Sequence, residues 1–422
     1  MRICFLSRRY FPAISGMSVY ARNYLHELVR MGHDVVMISQ YRADRAGTRV
    51  YGGGPPPAVP GVQVIGARAL GEERVNEDLP ADFEADIQTM VDIALEAHRE
   101  QPFDIVHAQY GYPTGLAALE ISYRTGIANV ISIQGGDGHW IGLCCETHRR
   151  AIRAVFEHAN ELIIGSQSFA EEVHENHGIP LERFRIIPGA INVERFQPCP
   201  GRGTGESGKP LVLLYHGRVD RRKGVLELIE AVDLLRRQGM DFRLVISGIG
   251  PDLETARALS AARSLGHTIE FSEYVDYEAV PDIYRSADIF VSPTWSEGFS
   301  NTVLEAMASG LPIVASRSVG VIDCLTDDET ALFHEVHDIE GLAFQIRRLL
   351  GDGPLRQRLA ENALAEVQRK YQWPIVARQM VQRLEAVRTG KPDNRWIDQY
   401  DRSQTVDQAD MDCRFRGAPH LL

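Results

Sequence analysis

Short apolar runs alternate with amphipathic segments along most of the chain. Ile3–Leu6 is a run of four apolar residues, and Ala21, Tyr24, Leu25 and Leu28 then recur at the spacing of one helix face. Further apolar runs of strand length follow near residues 105–106, 130–133, 162–164 and 185–187. Strands that alternate with helices predict a parallel sheet covered by helices on both faces. The first half of the chain therefore predicts an α/β domain.

The same alternation starts again after residue 210. Strands are predicted at residues 211–215, 243–247, 269–271, 289–291 and 313–315. An amphipathic helix is predicted from Val225, Leu228, Ile229, Val232 and Leu235. The chain therefore predicts two doubly wound, Rossmann-like domains.

Two stretches interrupt this pattern. Residues 42–82 contain Gly52–Pro57, which suits neither a helix nor a central strand, and we interpret them as a long surface excursion. Residues 197–210 are rich in Gly, Pro and Ser and predict a linker. Gly203–Lys209 has the spacing of a Walker phosphate loop, but Pro210 follows it where Ser or Thr is needed, so we interpret it as linker.

The predicted boundaries follow from these breaks. We expect a first domain at residues 1–198, a linker at 199–210 and a second domain at 211–370. Residues 371–388 are expected to form a further helix, and residues 389–422 a polar tail.

Composition narrows the function classes. The 422 residues carry a formal net charge of −12, which excludes a broad electrostatic attraction to nucleic acid or anionic lipid. Apolar runs fall far short of a membrane span, and the first residues lack the apolar core of a signal peptide. A cytoplasmic protein is expected. His148–Arg150 and Arg153 on a predicted helix suggest either weak peripheral contact with the inner face of a membrane or a solvated helix face.

The six cysteines are scattered and form no CxxC pair. Their spacing therefore predicts neither a zinc knuckle nor a dithiol redox motif, and no metal is expected.

The most informative segment is residues 289–312. The apolar strand Ile289–Val291 leads into a short loop, and a helix begins near Ser300 or Asn301 and ends at Gly310 and Pro312. A helix start at the carboxyl end of a parallel strand presents N–H groups and the positive end of a dipole. The segment therefore predicts a phosphate site.

Charged side chains around this site indicate its ligand. Glu297 precedes the helix and Glu305 lies about one turn inside it, where carboxylates suit sugar hydroxyls better than phosphate. Arg218 and Lys223 bracket the loop after the strand at 211–215, and both cations suit a diphosphate. Together these residues predict a nucleoside-diphosphate sugar as the ligand.

Four motifs in this order resemble one family. They are EGFSNTVLEAMASGLPIVAS with its EX7E pattern at Glu297–Glu305, GRVDRRKG at Gly217–Gly224, SGIGP at Ser247–Pro251, and RIIPGAINVERFQP before the linker. Over residues 1 to about 385 the chain resembles the retaining glycosyltransferases of the GT-B fold, in their large fourth family, also called glycosyl transferases group 1. The resemblance implies two Rossmann-like domains that face each other across a cleft, and it implies that the helix at residues 371–388 crosses back to the first domain.

The resemblance also implies residue roles. Arg218, Lys223 and Glu297 would be catalytic, with Glu297 binding hydroxyls of the transferred sugar. The donor-binding residues would be Gly16, Gly248, Tyr274, Val275, Phe299, Ser300, Asn301, Thr302 and Glu305.

One position departs from the family pattern. Many members carry a His that contacts the sugar, and Gln134 takes that place here, followed by Asp137. Gln can hydrogen bond but cannot titrate near neutral pH as His does. Gln134, Asp137 and His107 are candidate contacts to the sugar or acceptor, although His107 fits a structural role equally well.

The predicted activity is a metal-independent, same-face transfer that retains the anomeric configuration, without a cofactor. The enzyme would be a hexosyltransferase or other glycosyltransferase of polysaccharide or glycolipid synthesis, acting on a glycan, lipid-linked or small-molecule acceptor. Two alternatives stay open. One is a sugar-nucleotide enzyme of the same fold, such as an epimerase, and the other is a catalytically weak nucleotide-sugar-binding protein.

Overall fold

The computed structural model describes residues 1–13, 15–43, 53–199, 209–400 and 413–418. The chain divides into two compact units. The first unit comprises Met1–Pro188 and Trp373–Leu422, and the second comprises Gly189–Gln372. The Walker-like string lies outside the described residues except for Lys209.

A parallel sheet forms the centre of the first unit. Its strands are β1 Arg2–Ser7, β2 Asp34–Tyr41, β3 Val62–Arg68, β4 Ile105–Gln109, β5 Ala128–Ile133, β6 Glu161–Ile164 and β7 Phe184–Ile186. Within the described residues the order is β3-β2-β1-β4-β5-β6-β7, and every pair is parallel. β4 and β5 are buried along their whole length, as strands covered on both faces should be.

The helices of the first unit lie between and after these strands. They are α1 Gly16–Arg30, α2 Leu70–Glu73, α3 Phe83–Glu100, α4 Leu116–Thr125, α5 Gly136–His139, α6 Glu146–His158 and α7 Gln167–His177. Within the described residues, no helix combines the length and apolar character needed to cross a bilayer.

The second unit repeats this architecture with a parallel sheet in the order β10-β9-β8-β11-β12-β13 among its described residues. Its strands are β8 Leu211–His216, β9 Phe242–Ser247, β10 Ile269–Ser272, β11 Ile289–Ser292, β12 Ile313–Ser316 and β13 Leu332–His334. Its helices are α8 Val225–Arg237, α9 Leu253–Ala262, α10 Val280–Arg285, α11 Asn301–Ala308, α12 Ile339–Gly351 and α13 Gly353–Lys370.

The strand order reverses once in each sheet. In the first sheet, the strands follow chain order outward from β1 to β3 on one side and from β4 to β7 on the other. In the second sheet, they follow chain order outward from β8 to β10 on one side and from β11 to β13 on the other. In open α/β sheets, ligands bind at the carboxyl ends of the strands beside such a reversal. The second sheet therefore offers a site between the loops that follow β8 and β11.

The chain returns to the first unit after α13, as predicted. Helix α14, Trp373–Val387, belongs to the first unit and packs against α1. The Trp373 ring lies 5.0 Å from the Tyr20 ring and 6.5 Å from the Tyr24 ring, measured between centroids.

The interpretation of residues 42–82 as a surface excursion is wrong in part. Residues 44–52 lie outside the described residues, but β3 follows them and pairs with β2 along its whole length. The apolar residues Val62, Val64 and Ile65 are typical of a strand, but the interpretation gave more weight to the Gly and Pro residues that precede them. β13 was also missed, because three residues give too short a pattern to recognise.

The described end of the polar tail docks on the first unit. Two short helices lie there, α15 Trp396–Gln399 and α16 Arg414–Gly417. Arg416 is buried and donates hydrogen bonds to both carboxylate oxygens of Glu84, at 2.8 and 3.0 Å, and to the Ala81 carbonyl at 2.9 Å. The Phe415 side chain beside it is fully buried. Residues 413–418 are therefore an integral part of the first unit.

Candidate active site

The reversal in the second sheet brings two predicted motifs together. The Trp295 N–H donates to the Arg222 carbonyl at 2.9 Å, which joins the loop after β11 to the loop after β8. Gly224 has a φ of +71°, and a Cβ there would lie 1.9 Å from the Pro293 carbonyl oxygen. Only glycine permits this approach, so Gly224 fixes the distance between the two loops.

A second glycine contact joins the ends of β8 and β9. Gly248 has a φ of +137°, and its Cβ would lie 1.9 Å from the Gly217 carbonyl oxygen. A Cβ on Gly217 would in turn lie 4.0 Å from Thr302 Cγ2 in the first turn of α11. The predicted motifs at Gly217, Gly248 and Thr302 therefore border one another.

Lys223 and Glu297 form an ion pair between these loops. Lys223 Nζ lies 2.7 Å from Glu297 Oε1 and 3.4 Å from the Ser296 carbonyl oxygen. About a quarter to a third of each side chain is exposed, so a ligand can reach both. The sequence predicts that Lys223 binds phosphate and that Glu297 binds sugar hydroxyls. In the structure these two side chains are in direct contact.

Arg218 lies at the same strand end and is partly exposed. Its Nε is 3.6 Å from Asp220 Oδ2, and its carbonyl accepts a hydrogen bond of 2.6 Å from the Tyr215 hydroxyl. Asp220 also accepts hydrogen bonds from Arg222 at 2.7 and 3.0 Å. Burial opposes ionisation of Asp220, but the hydrogen bonds and charge of Arg222 outweigh it and lower the pKa to about 2. Asp220 is therefore ionised at neutral pH and stabilises the basic loop that follows β8.

Arg221 and Arg222, which the sequence assigned no role, anchor this loop. Arg221 pairs with Asp252 at 2.7 Å, while its side chain is largely exposed. Each of these two arginines is thus paired with an aspartate.

Helix α11 begins at Asn301 with Ser300 as its N-cap residue, as predicted. The Ser300 hydroxyl lies 3.3 Å from the Thr302 hydroxyl. Phe299 packs against Tyr371 with 5.6 Å between ring centroids, and a Cβ on Gly189 would lie 2.7 Å from Phe299 Cδ1. The PGA motif around Gly189 therefore supports the loop that leads into the helix.

Glu305 is buried on the inner side of α11. The Tyr284 hydroxyl donates to its Oε2 at 2.7 Å and lies 3.3 Å from the Thr302 carbonyl oxygen. Burial raises the pKa of Glu305 to about 7, although the Tyr284 hydrogen bond and the charge of Arg195 act in the opposite direction. This carboxyl group therefore titrates near neutral pH.

Sequence reasoning missed Tyr284 and Arg195. Tyr284 lies in α10, outside the recognised motifs, and orients Glu305 through one hydroxyl. Arg195 lies in the NVERF string; its guanidinium contacts the Tyr277 ring, 3.9 Å from the centroid, and pairs with Glu278 at 2.6 Å. Periodicity cannot reveal such contacts because they join distant parts of the chain.

Two predicted base contacts follow β10. Tyr274 is exposed, with 39% of its surface accessible, and Val275 packs against the apolar core of the second unit. An exposed tyrosine beside Gly248 of the neighbouring strand end suits stacking on a base, and the role of both residues stays a prediction.

The first unit holds the remaining predicted residues. Gly16 is exposed at the first position of α1, where Ser15 and Ser18 form a capping box. Gln134 follows β5 and is partly buried, and its Oε1 accepts a hydrogen bond of 2.9 Å from Gln109. Gly16 thus begins the first helix and Gln134 follows the carboxyl end of a strand, and their ligand contacts stay predictions.

His107 and Asp137 are both buried within the first unit. His107 is fully buried, and its ring centroid lies 5.4 Å from those of both Phe5 and Tyr24, while burial lowers its pKa to about 3. Asp137 is also fully buried and accepts backbone hydrogen bonds, including 2.8 Å from both Gly111 and Gly135. Core packing and loop formation account for the positions of these two residues, and their contact with sugar or acceptor stays a prediction.

The basic helix predicted from Glu146 is α6, and its charges are balanced within the helix. Arg153 pairs with Glu157 at 2.7 Å, and Arg149 pairs with Glu146. His148 is buried rather than exposed. The helix surface is therefore not a continuous basic patch, and His148 must be removed from the predicted membrane-facing set.

Gly248→Ala tests the glycine contact. The added Cβ meets the Gly217 backbone at a φ that alanine rarely adopts, so we expect a loss of about 2–3 kcal/mol in the free energy of unfolding. Gly239→Ala is the matched control, since Gly239 has a φ of +80° and no heavy atom of the described residues lies within 4 Å of its Cβ position. Denaturant unfolding measures both, and equal losses would contradict the close approach.

Glu305→Gln tests the titration of the buried carboxyl group. A folded-state pKa of about 7 against an ordinary value of 4.5 means that the folded protein binds the extra proton. The free energy of unfolding should therefore fall as pH rises from about 4.5 to 7, by up to about 3 kcal/mol from this group. Denaturant unfolding across this range should show a shallower fall in Glu305→Gln than in the wild type. Identical pH profiles would show that Glu305 ionises normally.

Comparison with known proteins agrees with the fold and the motifs. Residues 15–190 match the family model described as glycosyl transferase 4-like domain, and residues 202–366 match the model described as glycosyl transferases group 1. The chain is 27% identical over 387 residues to D-inositol 3-phosphate glycosyltransferase of Corynebacterium diphtheriae, covering 86% of this chain and 88% of that protein.

Two solved structures share the architecture. Sucrose-phosphate synthase from Thermosynechococcus elongatus superposes with a TM-score of 0.75 and 22% identity, covering 92% of this chain and 99% of that one. Anabaena HepE in complex with UDP gives a TM-score of 0.70 and 16% identity, covering 92% of this chain and all of that one. These likenesses establish the GT-B fold, and with the two family matches they show that the chain belongs to the group 1 glycosyltransferases.

Proposed function

We propose that this glycosyltransferase moves a sugar from a nucleoside-diphosphate sugar to an acceptor, retains the anomeric configuration and needs no metal for the transfer. The observation that carries the proposal is the Lys223–Glu297 ion pair of 2.7 Å, which lies between the loop after β8 and the loop that leads into α11. A cation that can bind phosphate and a carboxylate that can accept hydrogen bonds from hydroxyl groups thus lie side by side, as a sugar phosphate would require.

The diphosphate would bind between Arg218, Lys223 and the start of α11. Both cations follow β8, and the Gly217 contact with Thr302 places that strand end beside the first turn of the helix. Two cations and a helix dipole can stabilise the negative charge that develops on the leaving diphosphate. HepE, which has the same fold, was solved with UDP, and UDP is therefore the first nucleotide to test.

Glu297 and Glu305 would bind hydroxyl groups of the donor. A bound diphosphate competes for Lys223 and frees an oxygen of Glu297 for the transferred sugar. Glu305 is more buried, accepts a hydrogen bond from the Tyr284 hydroxyl, and would bind the ribose hydroxyls. Hydroxyl donors favour the ionised carboxylate, so donor binding should lower the raised pKa of Glu305.

The environments of His107 and Gln134 support a same-face reaction. His107 is buried and Gln134 does not titrate near neutral pH, so neither suits a general base. We therefore assign proton transfer to the donor: its departing phosphate oxygen accepts the proton of the attacking acceptor hydroxyl on the same face of the sugar. The protein's part is to hold the diphosphate and the sugar in position.

The first candidate acceptor is a phosphorylated polyol, with glycan and lipid-linked acceptors as further classes to test. Arg8 and Arg9 follow β1 and Arg42 follows β2, and all three are buried with Glu72, which lies 2.9 Å from Arg8 and 3.7 Å from Arg9. Burial and the charge of Arg8 lower the pKa of Arg9 to about 9, against the opposing effect of Glu72. An anion would relieve this repulsion, and the Corynebacterium relative is named for D-inositol 3-phosphate.

Lys223→Ala and Glu305→Ala test the donor site. We expect each to lower the transfer rate by about 10²–10³-fold, because each removes a contact to the diphosphate or the ribose. Arg237→Ala is the control, since Arg237 is an exposed residue that pairs with Asp233 within α8, and its rate should be unchanged.

The assay should use UDP-, ADP- and GDP-hexoses and follow nucleotide release with and without acceptor. Wild-type rates in both variants would contradict the site. An isomerised sugar nucleotide formed without acceptor would favour the epimerase alternative, and binding without turnover would favour the weak binding protein.

The acceptor class is tested in the same assay. The wild type should transfer at least about tenfold faster to inositol phosphate than to inositol at equal concentration, and Arg9→Ala should reduce this preference. Equal rates for the two acceptors would contradict an anionic acceptor and leave the assignment of Lys223 and Glu305 to the donor unaffected, because both residues belong to the second unit.

A further inference from the structure

Four side chains with metal-binding atoms converge in the first unit, away from the residues discussed above. They are Cys144 and Cys145 immediately before α6, His148 in the first turn of α6, and Cys413 immediately before α16. Their ligand atoms all lie within 4.8 Å of one another. The CxxC criterion missed this group because two cysteines are adjacent and the third is more than 260 residues away.

The distances fit a tetrahedral centre. The Sγ atoms of Cys144 and Cys145 are 3.8 Å apart, and His148 Nδ1 lies 3.2 Å from Cys144 Sγ and 3.7 Å from Cys413 Sγ. Tetrahedral zinc, with bonds of about 2.3 Å to sulfur and 2.0–2.1 Å to nitrogen, separates its ligands by roughly 3.5–3.8 Å. The four side chains therefore need little movement to hold one ion.

The surroundings fix the histidine with Nδ1 toward the thiols. His148 is fully buried, and its ring centroid lies 4.8 Å from that of Tyr112, 5.8 Å from Phe83 and 6.2 Å from Phe415. Its Nε2 has no hydrogen-bond partner among the described residues. Ring packing therefore orients the imidazole, and Nδ1 is the atom that faces Cys144 and Cys413.

The charge of such a centre is compensated locally. Three thiolates and one divalent ion carry a net charge of −1. Cys145 is the N-cap residue of α6, where the helix dipole favours negative charge. A closed set of three sulfurs and one nitrogen suits zinc and leaves no position for a substrate.

We propose that Cys144, Cys145, His148 and Cys413 form a structural zinc site that fastens residues 413–418 to α6. The site lies in the first unit and uses none of the proposed donor residues, so it is compatible with a transfer that needs no metal. Together with the Arg416–Glu84 pair it anchors the end of the chain.

Metal analysis of the full chain tests the proposal. Protein purified under reducing conditions without chelator should contain about one zinc ion per chain by mass spectrometry. Cys413→Ser and His148→Ala should lose most of it. Cys199→Ser is the matched control, because Cys199 is half-buried and lies outside the cluster, and it should keep its zinc.

Cobalt gives a readout that does not depend on a variant folding. Co²⁺ added to zinc-free wild type should produce the visible bands of a tetrahedral thiolate site and saturate near one ion per chain, and Cys199→Ser should behave identically. Chelation should lower the midpoint of thermal unfolding in the wild type and leave Cys413→Ser unchanged.

Several results would overturn the proposal. They are a wild type that takes up neither zinc nor cobalt, equal zinc loss in Cys199→Ser and Cys413→Ser, and a disulfide among the three cysteines in protein prepared without oxygen. Iron with inorganic sulfide would show an iron–sulfur cluster in place of zinc.

Discussion

The proposed donor site depends on the electrostatic contact between Lys223 and Glu297. A lysine and a glutamate 2.7 Å apart neutralise each other. A donor with a diphosphate and a hydroxylated sugar can replace both halves of this contact, since its anion binds Lys223 and its hydroxyls bind Glu297. The pair therefore keeps the site organised without a large excess of charge, and we propose that it selects a ligand that carries both groups.

The sheet explains why these residues meet. β8 and β11 are neighbours in space although about 70 residues separate them in sequence, and the strand order reverses between them. Gly224 and Gly248 then bring loop backbones closer than a Cβ allows. Helix α11 starts at the same edge, so a dipole, two cations and two carboxylates lie around one reversal point. Asp220 and Asp252 hold the neighbouring arginines and keep the loop in its conformation.

The sequence predicted those parts of the molecule that depend on local pattern. Strand and helix periodicity located both sheets, and the spacing of Glu297, Ser300 and Glu305 located the loop and the start of α11. The sequence pattern could not predict contacts between distant segments of the chain. Tyr284 orients Glu305 from another helix, and His107 is enclosed by rings from other elements, so its burial could not be read from the DIVH string. The cysteine cluster is the clearest case, because Cys413 joins Cys144 only through the fold.

The most direct test of the central claim is the affinity of the protein for UDP compared with uridine, measured by calorimetry in the wild type and in Lys223→Met. The account predicts that the wild type binds UDP at least about 100-fold more tightly than uridine, and that most of this preference disappears in Lys223→Met while uridine affinity is unchanged. An unchanged ratio of the two affinities in Lys223→Met would show that Lys223 does not bind the diphosphate.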